Sequence, residues 1–336
     1  MRAVVFAGEG QVRVDEVADP AVKGAGDAIV RVEITAICGS DLHVLDGKTP
    51  GMRVGGVIGH EFIGVVEDAG EDAGKLVGRK VLGSFLIACG RCDACRTRRF
   101  NHCSEGRALG VGTLFGDLDG AQAEIVRVPD ALVNLIPLDG FAGIADEALM
   151  FCGDILATGI HAARVAGVAP GEEVAVFGAG PVGLCCSLAA RDAGARVTVV
   201  DTDAARVEFA RVRLGFHGSD AIDDGAVDIA VDAVGAIPAL KAAMRAARDA
   251  GRVAVVGVYG AERYELPLGR VWNRELDLRF SGMANVQDCW EQALAAVSSG
   301  AIDPTPLVTH KLGLDDAPEG YELFRSREAM KVILRP

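Results

Sequence analysis

The run Val174-Ala175-Val176-Phe177 leads directly into Gly178-Ala179-Gly180-Pro181-Val182-Gly183, and these residues decide the fold. An apolar strand that ends in a GxGxxG turn and opens a helix aims free backbone N–H groups at a pyrophosphate. The first glycine makes the tight turn, the second lets the backbone approach, and the third packs helix against strand. The next apolar run, Arg196–Val200, ends in Asp201, 23 residues after Gly178. A carboxylate there accepts hydrogen bonds from the adenosine ribose hydroxyls and repels a 2′-phosphate, which predicts NAD rather than NADP.

Outward from this motif the chain alternates strand and helix. Glu173–Phe177, Arg196–Val200, Asp228–Asp232 and Arg252–Val256 read as buried strands, and Pro181–Ala193, Ala204–Leu214 and Ile237–Ala250 as helices between them. That alternation predicts an α/β class with a doubly wound parallel sheet. Residues 1 to 150 instead read as β-rich, with Ala3–Phe6, Ala28–Ile34, Phe62–Glu67 and Ala123–Val128 divided by Gly, Pro and Asp clusters. After Ser281 come a helix, Val286–Ser299, then Pro304 and Pro306, and a last strand at Lys331–Leu334.

The 336 residues exceed one ordinary core and imply two domains. A net charge of −13 with no basic run argues against nucleic acid or an anionic membrane as partner. The longest uncharged stretch, Val174–Ala190, is interrupted by glycine and proline and is too short to span a bilayer. Arg2 is followed by a short apolar run with no leader-like pattern, so a cytoplasmic protein is expected.

Nine cysteines are unevenly spaced. Cys89-x2-Cys92-x2-Cys95-x7-Cys103 places four thiolates in one short loop, the donor set of a closed, structural zinc site; neighbouring His102 reads as a surface residue. Cys185, Cys186 and Cys289 read as buried small apolar residues. A second constellation is dispersed over Cys38-Gly39-Ser40-Asp41, Gly59-His60-Glu61 and Cys152-Gly153-Asp154. Three ligands from these segments would leave a fourth position open, as a catalytic zinc requires.

With these motifs, and with Thr158-Gly159 after Asp154, the chain resembles the zinc-dependent medium-chain alcohol dehydrogenases over essentially its whole length. The resemblance implies a GroES-like catalytic domain at 1–154, a Rossmann domain at 155–283 and a return to the catalytic domain at 284–336. It implies two zinc ions per chain. Cys38, His60 and Asp154 would hold the catalytic ion, Asp154 taking precedence over Cys152 because it lies four residues before Thr158. Asp41 would orient His60, and Glu61 would approach the metal during ligand exchange. Ser40 and His43 would carry the alcohol proton to solvent by way of the nicotinamide ribose. For NAD it implies contacts from Gly178, Gly180, Val182, Gly183, Asp201 and Gly257, with Thr158 and Val182 at the nicotinamide, Arg206 at the adenosine ribose and Lys331 at the pyrophosphate. Phe85 would line the substrate pocket, with Leu109–Phe115 and Leu45 as further apolar wall. The chain departs from common family patterns at Gly39, where some members carry an arginine, and at Arg98-Arg99, where a glycine is usual.

The implied reaction is hydride transfer between a primary or secondary alcohol and NAD, reversible as carbonyl reduction. Alternatives are an aldehyde dismutase that retains NAD, a polyol or threonine-type dehydrogenase, a zinc-free quinone or enone reductase, and a non-enzymatic zinc protein that senses NAD. A small-molecule substrate and a homo-oligomer, a tetramer before a dimer, complete the expectation.

Overall fold

In the computed structural model, which describes residues 1–49, 51–260 and 264–336, the second half of the chain forms a six-stranded parallel sheet. Its spatial order is His217–Ser219, Arg196–Val200, Glu173–Phe177, Val227–Asp232, Ala247–Val255, Asp277–Phe280. Numbered along the sequence this is 3-2-1-4-5-6, the doubly wound order whose switch point lies beside the first strand. Side chains alternate across that strand. Val174 and Val176 pack with Ala162, Cys186 and Ile229 on one face, while Ala175 and Phe177 pack with Val200, Leu240 and Met244 on the other. Both faces are dry, which explains a strand with no polar alternation.

The helix expected at Ile237–Ala250 stops at Ala246, and Ala247 begins a strand. The Ala- and Arg-rich composition favours helix, but Arg274 takes the carbonyls of Met244 and Ala247 that end it. The chain then pairs Ala247 with Val227 and passes through Ala250 at φ 56°. Tertiary hydrogen bonding overrides helix propensity here.

Packing divides the described chain into Met1–Asp154 with Asn285–Leu294 and Leu307–Pro336, and Ile155–Ala284 with Ala295–Pro306. The segment Ala295–Pro306 thus packs with the second unit, within the stretch that the sequence assigns to the first. In the first unit Ala28–Ile37 is the hub strand. It pairs antiparallel with Phe62–Ala69, with Ile125–Val128 and with Lys331–Arg335. The sheet continues through Lys80–Gly83 to Leu135–Pro137, and Val308–Gly313 runs parallel to Lys331–Arg335 at the other edge. Among the described residues no single helix is long and apolar enough to cross a membrane.

Candidate active site and metal centres

Strand register assembles the dispersed constellation. Thr35 pairs with Phe62, so Cys38, just beyond one strand, and His60, just before the other, meet at the same end of the sheet. Val332 pairs with Ile37, which brings Lys331 to that end as well. Cys38 also caps the helix Gly39–Leu45, and its backbone N–H donates to Asp41 Oδ2 at 2.9 Å. Asp41 Oδ1 lies 3.1 Å from His60 Nδ1, leaving Nε2 to face inward. Asp154 arrives from the short turn Phe151–Gly153, its Oδ2 3.4 Å from Cys38 Sγ and 3.3 Å from His60 Nε2.

Donor atoms of Cys38, His60, Glu61 and Asp154 all lie within 4.8 Å of one another, and all four residues are buried. A zinc ion at about 2.0–2.3 Å from sulfur, nitrogen and oxygen donors spaces neighbouring ligands by little over 3 Å, so the group fits the metal. Its electrostatics also suit a cation. Burial disfavours an imidazolium at His60, yet Asp41 and Asp154 outweigh that and hold its pKa well above the ordinary value. Burial, reinforced by the Asp154 and Glu61 carboxylates, pushes the Cys38 thiol up. Burial likewise opposes charge on Asp154, but His60 and Lys331 prevail and hold it near about 2. Cys152 is fully buried, and its sulfur is not among the converging donors.

Ser40 Oγ sits 3.3 Å from Cys38 Sγ and 3.2 Å from His60 Nε2, at the edge of the cluster. His43, three residues further along the same short helix, is half-buried; burial first, and Lys48 second, lower its pKa. The Phe85 ring meets His60 edge-on at 6.0 Å between centroids. The proposed apolar wall does not form as one surface. Leu109 is fully buried in the sheet core, Leu114 is exposed, and Leu45 packs in the core with Val4 and Ile37.

Lys331 corrects an expectation. Expected at the pyrophosphate, its side chain is buried in the first unit and pairs with Glu61 instead, its Nζ 2.6 Å from Oε1 and 2.5 Å from Oε2. Burial raises the Glu61 pKa to about 7 even against this partner, with Asp154 adding to the rise. Glu61 is thus held by Lys331 within the group of converging donors.

The four-cysteine loop closes on itself. Cys89, Cys92, Cys95 and Cys103 place their sulfurs within 4.8 Å of one another, and Cys92 Sγ to Cys103 Sγ is 3.9 Å. All nine cysteines are free thiols rather than disulfides. The backbone N–H groups of Cys95 and Ser104 lower the Cys92 pKa to about 6, whereas burial pushes Cys95 up to about 12. A donor set of four thiols, one already favouring thiolate, fits a structural zinc. Arg98 adopts φ 58°, the left-handed conformation that explains why glycine is usual there. The loop is tied down by Asn285, which accepts from the Phe100 N–H and donates to Arg98 O. His102 is exposed.

In the second unit Gly178 turns at φ 103°, and Gly180 precedes the helix Pro181–Asp192, with proline in its first turn. A Cβ on Gly183 would stand 1.8 Å from Gly178 O, so only glycine lets the helix start this close to the strand end. Asp201 Oδ2 accepts the Ala179 N–H at 2.7 Å and Oδ1 accepts that of Asp203 at 2.9 Å. The carboxylate therefore braces the glycine-rich turn. An Arg206 guanidinium nitrogen lies 3.6 Å from where a Gly180 Cβ would project. Thr158 and Val182 are half-buried. Gly257 lies where two loops cross: a Cβ there would stand 2.0 Å from Gly235 N. These residues fit a dinucleotide on the turn, held by Gly178, Gly180 and the helix N-terminus.

Sequence reasoning missed Gln122 and Tyr321. Both are buried and both reach toward Asp41, at 3.1 Å from Gln122 Nε2 and 3.3 Å from the Tyr321 hydroxyl. No local pattern marks either one.

The doubly wound sheet with its glycine-rich turn and the two clusters of converging donors are those of the zinc-dehydrogenase class of oxidoreductases. The profile of the alcohol dehydrogenase GroES-like domain matches residues 24–138, and that of the zinc-binding dehydrogenase matches residues 181–299. The chain belongs to the zinc-type alcohol dehydrogenase family. It is 34% identical to an uncharacterized zinc-type alcohol dehydrogenase-like protein of Bacillus subtilis, over 100% of both chains. Alcohol dehydrogenase TADH from Thermus sp. ATN1 superposes with TM-score 0.92 at 40% identity, over 100% of this chain and 99% of that one. A zinc-binding dehydrogenase from Sinorhizobium meliloti 1021, solved with NADP, superposes with TM-score 0.83 at 29% identity, covering 100% and 99%.

Proposed function

We propose that the protein oxidises a primary or secondary alcohol with NAD, and reduces the corresponding carbonyl in reverse, at a zinc held by Cys38, His60 and Asp154. The observation that carries this reading is the convergence of those three donors with Ser40 at their edge. When bound, zinc supplies the Lewis acidity that lowers the pKa of an alcohol hydroxyl, and NAD supplies the hydride acceptor. Ser40 Oγ accepts the substrate proton as its own hydroxyl proton passes on toward His43. His43, with its lowered pKa, stays neutral near pH 7 and accepts a proton at the solvent end of the helix. Phe85, against His60, gives the site an apolar side that suits an uncharged alcohol. Asp154 in place of a thiolate makes a harder donor set and a more readily released metal.

Asp201 supports NAD over NADP, by charge. The NADP of the Sinorhizobium meliloti protein belongs to that protein, and the two cofactors are to be compared directly. Exposed Leu268, Trp272 and Phe280 on the second unit support a homo-oligomer, with a tetramer in the cytoplasm as the working proposal. The test is a cofactor-reduction panel with ethanol, 2-butanol, benzyl alcohol, sorbitol and threonine, each with NAD and NADP, beside elemental analysis. The reading expects two zinc ions per chain and NAD-linked oxidation of a simple alcohol. A single zinc, or turnover confined to threonine, sorbitol or NADP, overturns the corresponding part.

A further inference from the structure

We propose that Gln122 and Tyr321 are positioning residues for the catalytic zinc, acting through Asp41 to hold the His60 imidazole in register with Cys38 and Asp154. The inference rests on the zinc-dependent reading above. It begins with a buried carboxylate that must be satisfied. Asp41 is 1% exposed, and besides His60 its Oδ2 meets the Cys38 N–H at 2.9 Å, Gln122 Nε2 at 3.1 Å and the Tyr321 hydroxyl at 3.3 Å.

The orientation of Gln122 is over-determined. Its Nε2 donates to Ala36 O at 2.9 Å and to Asp41, two acceptors that an inverted amide would repel. Its Oε1 then faces the Tyr321 hydroxyl, whose one proton is shared between Gln122 Oε1 at 2.8 Å and Asp41 Oδ2 at 3.3 Å. One hydroxyl proton and two amide protons are all committed, so each group depends on the next. Gln122 is 0% and Tyr321 2% exposed, and removal of either leaves a partner unsatisfied away from water.

The backbone is built around the same side chain. Gly59, the residue before His60, turns at φ 84°, and a Cβ there would stand 2.3 Å from Gln122 Cγ. The Ala121 N–H donates to Gly59 O at 2.9 Å and the Gln122 N–H to Ile58 O at 3.0 Å. The glycine beside the histidine thus makes room for Gln122, and Gln122 is seated against the turn that presents the histidine. Tyr321, on the helix Ala317–Arg325, anchors the network from the C-terminal part of the chain. Partners that orient a metal-bound histidine are worth about 10–100-fold in metal affinity.

The test uses Tyr321→Phe and Gln122→Met in the full-length enzyme. Three quantities are read: zinc affinity by competition with a chromophoric chelator, the visible spectrum of the cobalt-substituted catalytic site, and release of the four-cysteine zinc as an internal control. Tyr321→Phe is expected to weaken the catalytic zinc by about tenfold and Gln122→Met by nearer 100-fold. The cobalt bands should shift, and the structural zinc should be released as in the wild type. Wild-type affinity and an unshifted spectrum in both variants overturn the proposal, even if melting temperature falls, because that pattern marks packing alone. If Gln122→Met does not fold, Tyr321→Phe decides by the same two readouts. A wild-type protein that binds only one zinc refutes the underlying reading instead.

Discussion

Two candidate metal centres lie in one unit and are built on opposite plans. The four-cysteine loop draws every donor from Cys89 to Cys103, with Cys92 and Cys103 only partly buried. The other centre draws Cys38, His60 and Asp154 from three distant segments, buries all of them, and sets Asp41, Gln122 and Tyr321 behind His60 and Lys331 on neighbouring Glu61. A local site is closed by its own loop and serves the fold. A dispersed site exists only once the sheet has registered, and everything that sets the register also sets the chemistry.

The sharpest way to break this contrast is to remove one donor from each centre. Cys95→Ser should prevent stable folding or assembly, read as loss of soluble protein or of a cooperative melt. Cys38→Ser should leave a folded protein that still binds NAD, with kcat/KM lower by more than about 100-fold, beyond the loss of an outer partner. Asp154→Ala should behave like Cys38→Ser, and Cys152→Ala should keep both catalytic zinc and activity. The reverse pattern, read by metal analysis, would assign the third ligand to Cys152.

The next effect concerns charge. Lys331→Met strands Glu61 in a dry site, and breaking a buried pair from one side costs about 3–5 kcal/mol, measurable by denaturant unfolding. Lys331→Arg should recover part of it. An unchanged midpoint in Lys331→Met would show that Glu61 finds another partner.

Proton transfer comes third. Ser40→Ala should lower kcat by about 100-fold, the lower end for losing a positioned proton-transfer group. His43→Gln should cost less and respond to added buffer base. Equal kcat in wild type and Ser40→Ala would remove Ser40 from the path.

Cofactor selection should be smaller. The wild type is expected to favour NAD by more than tenfold in kcat/KM, at least about 1.4 kcal/mol. Because Asp201 also holds the Ala179 N–H, Asp201→Ser should weaken binding of both dinucleotides as well as narrow their ratio. A change in ratio alone would deny the bracing role.

The smallest effect tests the sheet edge beside Lys331. Lys311 first, with help from Arg335, holds Glu147 down to about 2. A carboxyl depressed in the folded state stabilises above its unfolded pKa and loses that contribution as pH falls through the folded value. Both partners are half exposed, so Glu147→Gln should cost only about 1 kcal/mol at pH 7. The difference should shrink below pH of about 4.5 and vanish near about 2, checked by unfolding at several pH values.

The readable parts of the molecule are those whose cause is local. The glycine-rich turn, the helix Ala204–Leu214, Asp201 at a strand end and four cysteines in one loop each follow from neighbours in the chain, because turn geometry and chelate spacing act over a few residues. Asp154 comes from the family resemblance, which implies a ligand four residues before Thr158, and the fold brings its carboxylate to Cys38 and His60. The helix end at Ala246 was not readable, since Arg274 supplies it from a later segment.

What stayed hidden depends on pairing between strands far apart in sequence. Lys331 looks like any cation near a chain end, and the pairing of its strand with Ala28–Ile37 carries it to Glu61. Gln122 and Tyr321 are ordinary polar residues until the close packing at Gly59 and the burial of Asp41 give them partners. Residue type and spacing name the atoms that bind a metal. Which uncharged and charged groups then orient those atoms is settled by burial, because away from water each polar group must find a partner wherever the fold has put one.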